Sequence, residues 1–257
     1  MIKGSGTKGI GVAGITGRMG RLLAEEVLAA GAKLAGGSSR DPASGAAFSS
    51  AATLIPACDL LIDFTHAGTV QQHAAWVAQA GCAWVLGTTG LSAADEAAVA
   101  RAAETVAVVY APNFSPGVTL AIALAERMAA ALPAESYDAE IVEMHHRQKV
   151  DAPSGTAIGL GRAVAKGRGV RLEDVIESGR DGHTGARKTG AIGFAALRGG
   201  QVVGEHTLIF AAGTEHITLT HRAFDRRAFA TGAVRAAQWA LTRPPGLYSM
   251  MDVLGMG

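Results

Sequence analysis

GIGVAGITGRMGRLLAEEVLAAG, residues 9–31, is the stretch whose reading decides the fold. It opens with GIGVA at 9–13, a short apolar run of the length of a buried strand. It continues as RMGRLLAEEVLAAG, where Met19, Leu22, Leu23, Val27 and Leu28 recur at helical spacing before Gly31, a residue suited to stopping a helix. Two glycine registers compete between strand and helix. Gly9, Gly11 and Gly14 satisfy G-x-G-x-x-G, but that motif must follow a strand, and MIKGSGTK at 1–8 makes a poor one. Gly14, Gly17 and Gly20 fall instead just after GIGVA, where backbone N–H groups at a helix start can face a pyrophosphate. Glycine also serves turns that hold no ligand, so this loop alone leaves a plain strand-to-helix turn open.

Outward from this unit the alternation continues. KLAGGSS at 33–39, LLIDFT at 60–65, WVLGTT at 84–89 and VAVVYAP at 106–112 read as strands, with helices over VQQHAAWVAQAG at 70–81 and from Ser92. Such alternation predicts a Rossmann-like parallel sheet covered by helices over residues 1–114, a dinucleotide-binding domain in an α/β protein. A second glycine loop, Gly87-Thr88-Thr89-Gly90, lies at the carboxyl end of a strand, where open α/β sheets bind ligands. The second strand ends GGSSRDP, and an arginine at that place accommodates a 2′-phosphate. Arg40 therefore favours NADPH being used at least as well as NADH, while Asp41 leaves an NAD contact open.

After residue 114 the pattern changes. GVTLAIALAERMAAAL at 117–132 predicts a helix, ESYDAEIVEMHH at 135–146 a strand, and the segment from Thr156 another helix. IGFAALR, Gly199-Gly200, QVVGEHTLIFAA, Gly213-Thr214 and EHITLTHR then read as strand, tight turn, strand, turn, strand, a meander. Residues 115–226 are expected to form a C-terminal α+β domain with an open mixed sheet. The helix FATGAVRAAQWALT and the tail GLYSMMDVLGM, within 227–257, are expected to return to the first domain.

The composition narrows the function. Among 257 residues, 49% are hydrophobic without any apolar run long enough to cross a bilayer, which predicts a soluble protein with no membrane partner. A net charge of +1 argues against a nucleic-acid surface, and 34 glycines with 5% aromatics favour a loop-rich α/β chain. The N-terminal segment lacks the features of a signal peptide, so a cytoplasmic location is expected. Cys58 and Cys82 have no C-x-x-C partner and read as buried thiols. His66, His73, His183, His206, His216 and His221 show no metal-binding spacing; no metal site is expected, and structural roles are assigned to most of them. Arg226 reads as a surface or hinge salt-bridge residue.

MHHRQKVDAPSGT at 144–156 is the chemically dense segment. Adjacent residues at a strand end point to opposite sides, so His145 and His146 are not expected to do the same job. One of them suits proton transfer, since imidazole titrates at about 6.5. The helix start near Thr156 offers N–H groups and a positive dipole end to an anion. Gly155 lets a ligand approach the backbone, the Thr156 hydroxyl can donate, and Lys149 adds a full charge. Asp151 reads as a turn or cap residue.

GITGRMG at 14–20, GTTG at 87–90, APNFSPGV at 111–118, EMHHRQKVDAPSGTA at 143–157, VGEHT at 203–207 and GLYSMMDVL at 246–254 together resemble the dihydrodipicolinate (4-hydroxy-tetrahydrodipicolinate) reductase family, nearly end to end and in order. The resemblance implies an NAD(P)H-dependent reductase of the diaminopimelate route to lysine, in which the C-terminal sheet assembles a homotetramer and a hinge joins the domains. Its substrate is a small cyclic imine with two carboxylates. Loss of water leaves a conjugated C=C–C=N system, hydride adds at C4, and a proton reaches C3. The resemblance assigns proton donation to His145 with Lys149 as a second donor, and substrate binding to His146, Lys149, Gly155 and Thr156. It assigns the dinucleotide to Gly14, Ile15, Thr16, Gly17, Arg18, Met19, Arg40, Gly87, Thr88, Thr89, Ala111, Pro112, Asn113 and Phe114. Ser39 stands where the family often has an acid. Two other readings, an imine-acting NAD(P) dehydrogenase of the same architecture and a non-catalytic NAD(P)-sensing protein, share the glycine loops but have no need of the 144–156 segment.

Overall fold

The computed structural model describes residues 8–41 and 47–256. MIKGSGTK at 1–8, read as a poor strand candidate, lies apart from Lys8 outside the described residues, as does Pro42 of the second-strand loop. The chain divides into two compact units, one running to Pro116 and resuming at Arg227, the other Gly117–Arg226.

In the first unit, β1 (Ile10–Ala13) leads into α1 (Arg18–Ala29) and β2 (Leu34–Ser38). A short α2 (Ala51–Leu54) precedes β3 (Leu60–Asp63), α3 (Val70–Ala80), β4 (Ala83–Leu86), α4 (Ala93–Ala103) and β5 (Ala107–Tyr110). The expected parallel sheet is present. Its order, numbering strands along the chain, is β11-β5-β4-β3-β1-β2, the outermost strand β11 (Gly246–Tyr248) coming from the tail and pairing parallel to β5. Strand residues alternate between two cores. Ile10, Val12, Ile62, Val85 and Val109 pack with α1 and with the C-terminal helix α8 (Arg227–Ala240). Leu61, Trp84, Leu86 and Val108 pack with α3 and α4 on the other face. Gly11, from the rejected glycine register, serves this second core: a Cβ there would stand 2.9 Å from Cys58 Sγ. Both cysteines are buried and free, as expected.

The second unit holds α5 (Pro116–Ala131, beginning at the boundary), β6 (Asp138–His145), α6 (Gly155–Gly167), α7 (Leu172–Val175), β7 (Ile176–Ser178), β8 (Ile192–Arg198), β9 (Gly204–Ala211) and β10 (His216–Ala223). A last turn of helix, α9 (Met250–Val253), follows β11 in the first unit. The sheet is mixed, in the order β10-β9-β6-β8-β7. This corrects the meander. β8 and β9 are not neighbours; β6 lies between them, parallel to β8 and antiparallel to β9. β6, β8 and β7 thus run parallel, with α6 and α7 in the crossover from β6 to β7, and Gly199-Gly200 is the start of a strap across the end of β6 instead of a hairpin turn. Five residues, 199–203, make the crossing. It spans two strand spacings, about 10 Å, well within the reach of such a segment. β9 and β10 do form the expected antiparallel pair. One face of this sheet packs against α5 and α6 through Ala139, Ile141, Ile192, Phe194, Leu208 and Phe210. On β8 and β10, Leu197 and Ile217 remain exposed.

Candidate active site

The first unit presents its loops along the carboxyl edge of the parallel sheet. Gly14 has φ +67°, and the Gly17 N–H donates to Gly14 O at 2.9 Å, closing the turn after β1. A Cβ on Gly20 would lie 2.1 Å from Gly14 O, so the third glycine lets α1 seat directly against this turn. Gly87, after β4, is equally constrained: a Cβ there would lie 2.4 Å from the Phe64 ring. Beside it the Thr88 hydroxyl is buried and has no hydrogen-bond partner among the described residues. A cavity of about 550 Å³ opens at this edge, lined among others by Gly14, Thr16, Gly17, Arg40, Asp41 and Trp76. Two tightly packed glycine turns at this edge, with the orphaned hydroxyl of Thr88, fit a dinucleotide.

Not every residue assigned to the dinucleotide offers its side chain. Arg18 is exposed at the start of α1, whereas Ile15 and Met19 pack on the core. Ile15 covers Gly37 of β2. Ala111, Pro112, Asn113 and Phe114 follow β5, but the Phe114 side chain is fully buried against Phe64, and Asn113 Oδ1 accepts the Ser115 N–H at 2.8 Å. These two side chains build the loop. Sequence reasoning also missed a buried pair under the cavity: His73 Nδ1 lies 2.6 Å from Asp63 Oδ2, and Thr65 donates to Asp63 through its N–H and hydroxyl. Burial works to raise the Asp63 carboxyl, but the His73 and Thr65 donors outweigh it and hold it below the usual carboxylate range.

In the second unit the chemistry gathers at the carboxyl end of β6. Inward positions along this strand are Ala139, Ile141, Glu143 and His145. The last two put a carboxylate and an imidazole on one buried face, with His145 Nδ1 2.6 Å from Glu143 Oε2. The β6–β8 register sets Arg198 opposite His145, and its guanidinium grips both Glu143 oxygens, at 2.8 and 2.9 Å. Burial works to raise the Glu143 carboxyl; Arg198 and His145 prevail and keep it ionised. For His145, burial and the cations Lys149 and Arg198 pull the imidazole below its ordinary value against the opposing pull of Glu143. The strap fixes the strand end from above, with Gly199 N–H donating to His145 O and Arg147 N–H to Gly200 O.

Lys149 Nζ donates to both carboxylate oxygens of Asp151, at 2.8 and 2.9 Å. Asp151, in the loop before α6, is therefore the partner of Lys149 and does not cap the helix, which corrects the cap part of its turn-or-cap reading. The cap of α6 is Ser154, whose hydroxyl accepts the Ala157 N–H and whose own N–H donates to Glu143 Oε1. The helix starts at Gly155, one residue before the expected Thr156. A Cβ on Gly155 would meet nothing within 4 Å, and its φ is not left-handed, so neither packing nor backbone demands a glycine there. His146 lies just past β6 with Nδ1 buried and unpaired among the described residues. His206, assigned no function from the sequence, lies with its ring edge-on to His145 at 5.1 Å between centroids, and its Nε2 is 3.0 Å from Ser154 Oγ. Burial pushes its pKa down to about 4. Arg226 forms no ion pair among the described residues; its neighbour Arg227 does, with Glu25 and Glu26.

A family model described as dihydrodipicolinate reductase, N-terminus, matches residues 8–114, and another described as dihydrodipicolinate reductase, C-terminus, matches residues 117–254. The chain belongs to the dihydrodipicolinate reductase family. It is 67% identical over 253 residues to a 4-hydroxy-tetrahydrodipicolinate reductase from Granulibacter bethesdensis, with 96% of this chain and 97% of the relative covered. A second 4-hydroxy-tetrahydrodipicolinate reductase, from Acidiphilium cryptum, is 62% identical, with 96% and 97% covered. Among solved structures, a dipicolinate-bound dihydrodipicolinate reductase from Paenisporosarcina sp. TG-14 shares the fold with a TM-score of 0.74 at 24% identity, covering 95% of this chain and 97% of that one. The dihydrodipicolinate reductase family supplies the oxidoreductase class expected for a parallel nucleotide-binding sheet.

Proposed function

We propose that this chain reduces 4-hydroxy-tetrahydrodipicolinate to tetrahydrodipicolinate with NAD(P)H, in the diaminopimelate route to lysine. The observation that carries the reading is the end of β6, where a buried, carboxylate-held imidazole stands beside a lysine and the first turn of a helix. Gly14, Thr16, Gly17, Arg40 and Thr88 hold the dinucleotide, with the backbone of Ile15, Arg18, Met19, Gly87, Thr89 and 111–114 around it. Bound there, the reduced nicotinamide supplies the hydride. Arg40 beside the cavity supports use of NADPH at least as well as NADH.

His146, Lys149, Gly155 and Thr156 bind the substrate carboxylates. Ser154 takes the Ala157 N–H on its hydroxyl and the Ile158 N–H on its carbonyl, and the dipole of α6 favours an anion at the helix start. His145 gives the proton to C3 from Nε2, because Nδ1 faces Glu143. In the free protein His145 is held below its ordinary pKa partly by Lys149. A dicarboxylate brings added negative charge beside the ring, so substrate arrival itself favours the protonated donor. Lys149 serves as second donor. The sheet face turned away from α5 and α6, on which Leu197 is exposed, supports assembly into a homotetramer through this sheet, and the enzyme works in the cytoplasm.

The test is loss of reduced-nicotinamide absorbance with substrate generated in situ by dihydrodipicolinate synthase. Pyridine-2,6-dicarboxylate is expected to compete with the substrate and to raise the melting temperature. No turnover, with no competition and unchanged melting, refutes the reading.

A further inference from the structure

Glu143 and the VGEHT segment enclose, from two sides, the imidazole that the proposed function makes the proton donor. Glu143 is 1% exposed and receives four donors: two from Arg198, the Ser154 N–H and His145 Nδ1. A carboxylate saturated in this way is an acceptor only, so the atom facing it must carry hydrogen. The other ring nitrogen, Nε2, faces Gly204. A Cβ at 204 would stand 3.0 Å from Nε2, 3.4 Å from Cδ2 of the same ring and 3.6 Å from His206 Cε1. The backbone there is not left-handed, so conformation does not require the glycine.

We propose that Glu143 is a positioning residue that keeps the neutral His145 protonated at Nδ1 with Nε2 turned outward, and that Gly204 keeps the space before Nε2 clear. The inference rests on His145 being the donor. The imidazolium gives its Nε2 proton to C3, the Nε2 electron pair is left behind, and the neutral ring that remains is the tautomer Glu143 already prefers, so no ring flip intervenes between turnovers. The charged and titratable groups around His145 are Glu143 on its own strand, Arg198 at the end of β8, His206 on β9 and Lys149 in the loop before α6. Two of these act in opposite senses: Glu143 favours the imidazolium and Arg198 disfavours it.

The experiment uses the full chain with nitrogen-15-labelled histidine, the His145 signals assigned by their loss in H145Q. In the wild type, NMR should find neutral His145 protonated at Nδ1. In E143Q that preference should be lost, and kcat should fall about 10- to 100-fold with little change in substrate KM. A proton donor fails as pH rises through its pKa, so the alkaline limb of the kcat/KM profile should move to lower pH in E143Q. In R198Q it should move to higher pH. A merely structural role for Glu143 does not move the limb in opposite directions in the two variants. G204A should lower kcat while leaving the tautomer as in the wild type. Circular dichroism checks the fold of each variant, and R198Q and G204A carry the test if E143Q does not fold. An Nε2-protonated wild type, or limbs moving the same way in E143Q and R198Q, overturns the proposal. A lost tautomer preference in E143Q with unchanged kcat leaves the hold of Glu143 on the ring intact and removes His145 as the donor, which refutes the proposed function instead.

Discussion

Replacing Gly155 by alanine is expected to make the free protein more stable and the substrate harder to bind. In the fold, the new methyl meets no atom within 4 Å and the backbone is already one that alanine adopts. The unfolded chain loses freedom, so stability should rise by about 0.4–1 kcal/mol. For a chain of this size that corresponds to a Tm increase of about 1–4 °C. If the open space is where a substrate carboxylate reaches the helix start, the same methyl occupies it. Overpacking of about 1–3 kcal/mol then weakens binding by a factor of about 5 to 150. The assay is a pair of melts with and without pyridine-2,6-dicarboxylate. At a ligand concentration of about 100 times the wild-type Kd, the wild type should gain about 2.7 kcal/mol, and a variant binding thirtyfold more weakly about 0.9 kcal/mol. Substrate KM should rise in parallel while NADPH affinity is unchanged. A G155A protein with wild-type KM and a wild-type ligand shift would remove α6 from the anion site.

His145→Gln should lower kcat by about 10²- to 10⁴-fold with a smaller effect on KM, whereas Lys149→Met should raise KM and lower kcat together. Fluorescence titration should find NADPH binding intact in both, and near-normal kcat in H145Q would leave Lys149 as the remaining donor of this segment. Arg40→Ala should weaken NADPH more than NADH; an NADH preference already present and unaltered by R40A would contradict the role of Arg40. His206 has a folded pKa pushed from 6.5 down to about 4, so the unfolded chain takes up its proton first as pH falls. The contribution of His206 is therefore fully present above 6.5 and is lost as pH falls through the window down to about 4. In H206Q, which keeps a polar group toward Ser154, Tm should depend less steeply on pH across that window.

The first unit was legible because its signals are local. Each strand, glycine turn and helix start sits within about thirty residues of sequence, and a parallel βαβ run admits few arrangements. The second sheet was less so. Whether β9 pairs with β8 or crosses β6 depends on which neighbour buries β6, and the glycines at 199–200 suit either a hairpin or a strap. The site divides the same way. His145, Lys149, Gly155 and Thr156 share one short segment. Glu143 was within reach as well, because a carboxylate two residues before a histidine on a strand shares its face. Arg198 was not, since only the parallel pairing of β6 with β8 brings it there. Ser154 and His206 likewise meet only across a long separation in the chain.

Lys149 already holds a carboxylate, that of Asp151, and this bears on selectivity by charge number. Any anion that takes the lysine displaces an internal one, so arrival is an exchange of partners and not a simple neutralisation. A half-exposed pair of this kind is worth no more than about 1 kcal/mol, a factor of about five in affinity. A monoanion bears that cost on its single contact. A dianion sets it against a second anchor at the helix start, and so the pair acts as a weak filter against monocarboxylates in a cell that contains many. Replacing Asp151 by asparagine should narrow the gap in inhibition between pyridine-2-carboxylate and pyridine-2,6-dicarboxylate and make both more sensitive to added salt; an unchanged gap would show that Asp151 takes no part in the choice.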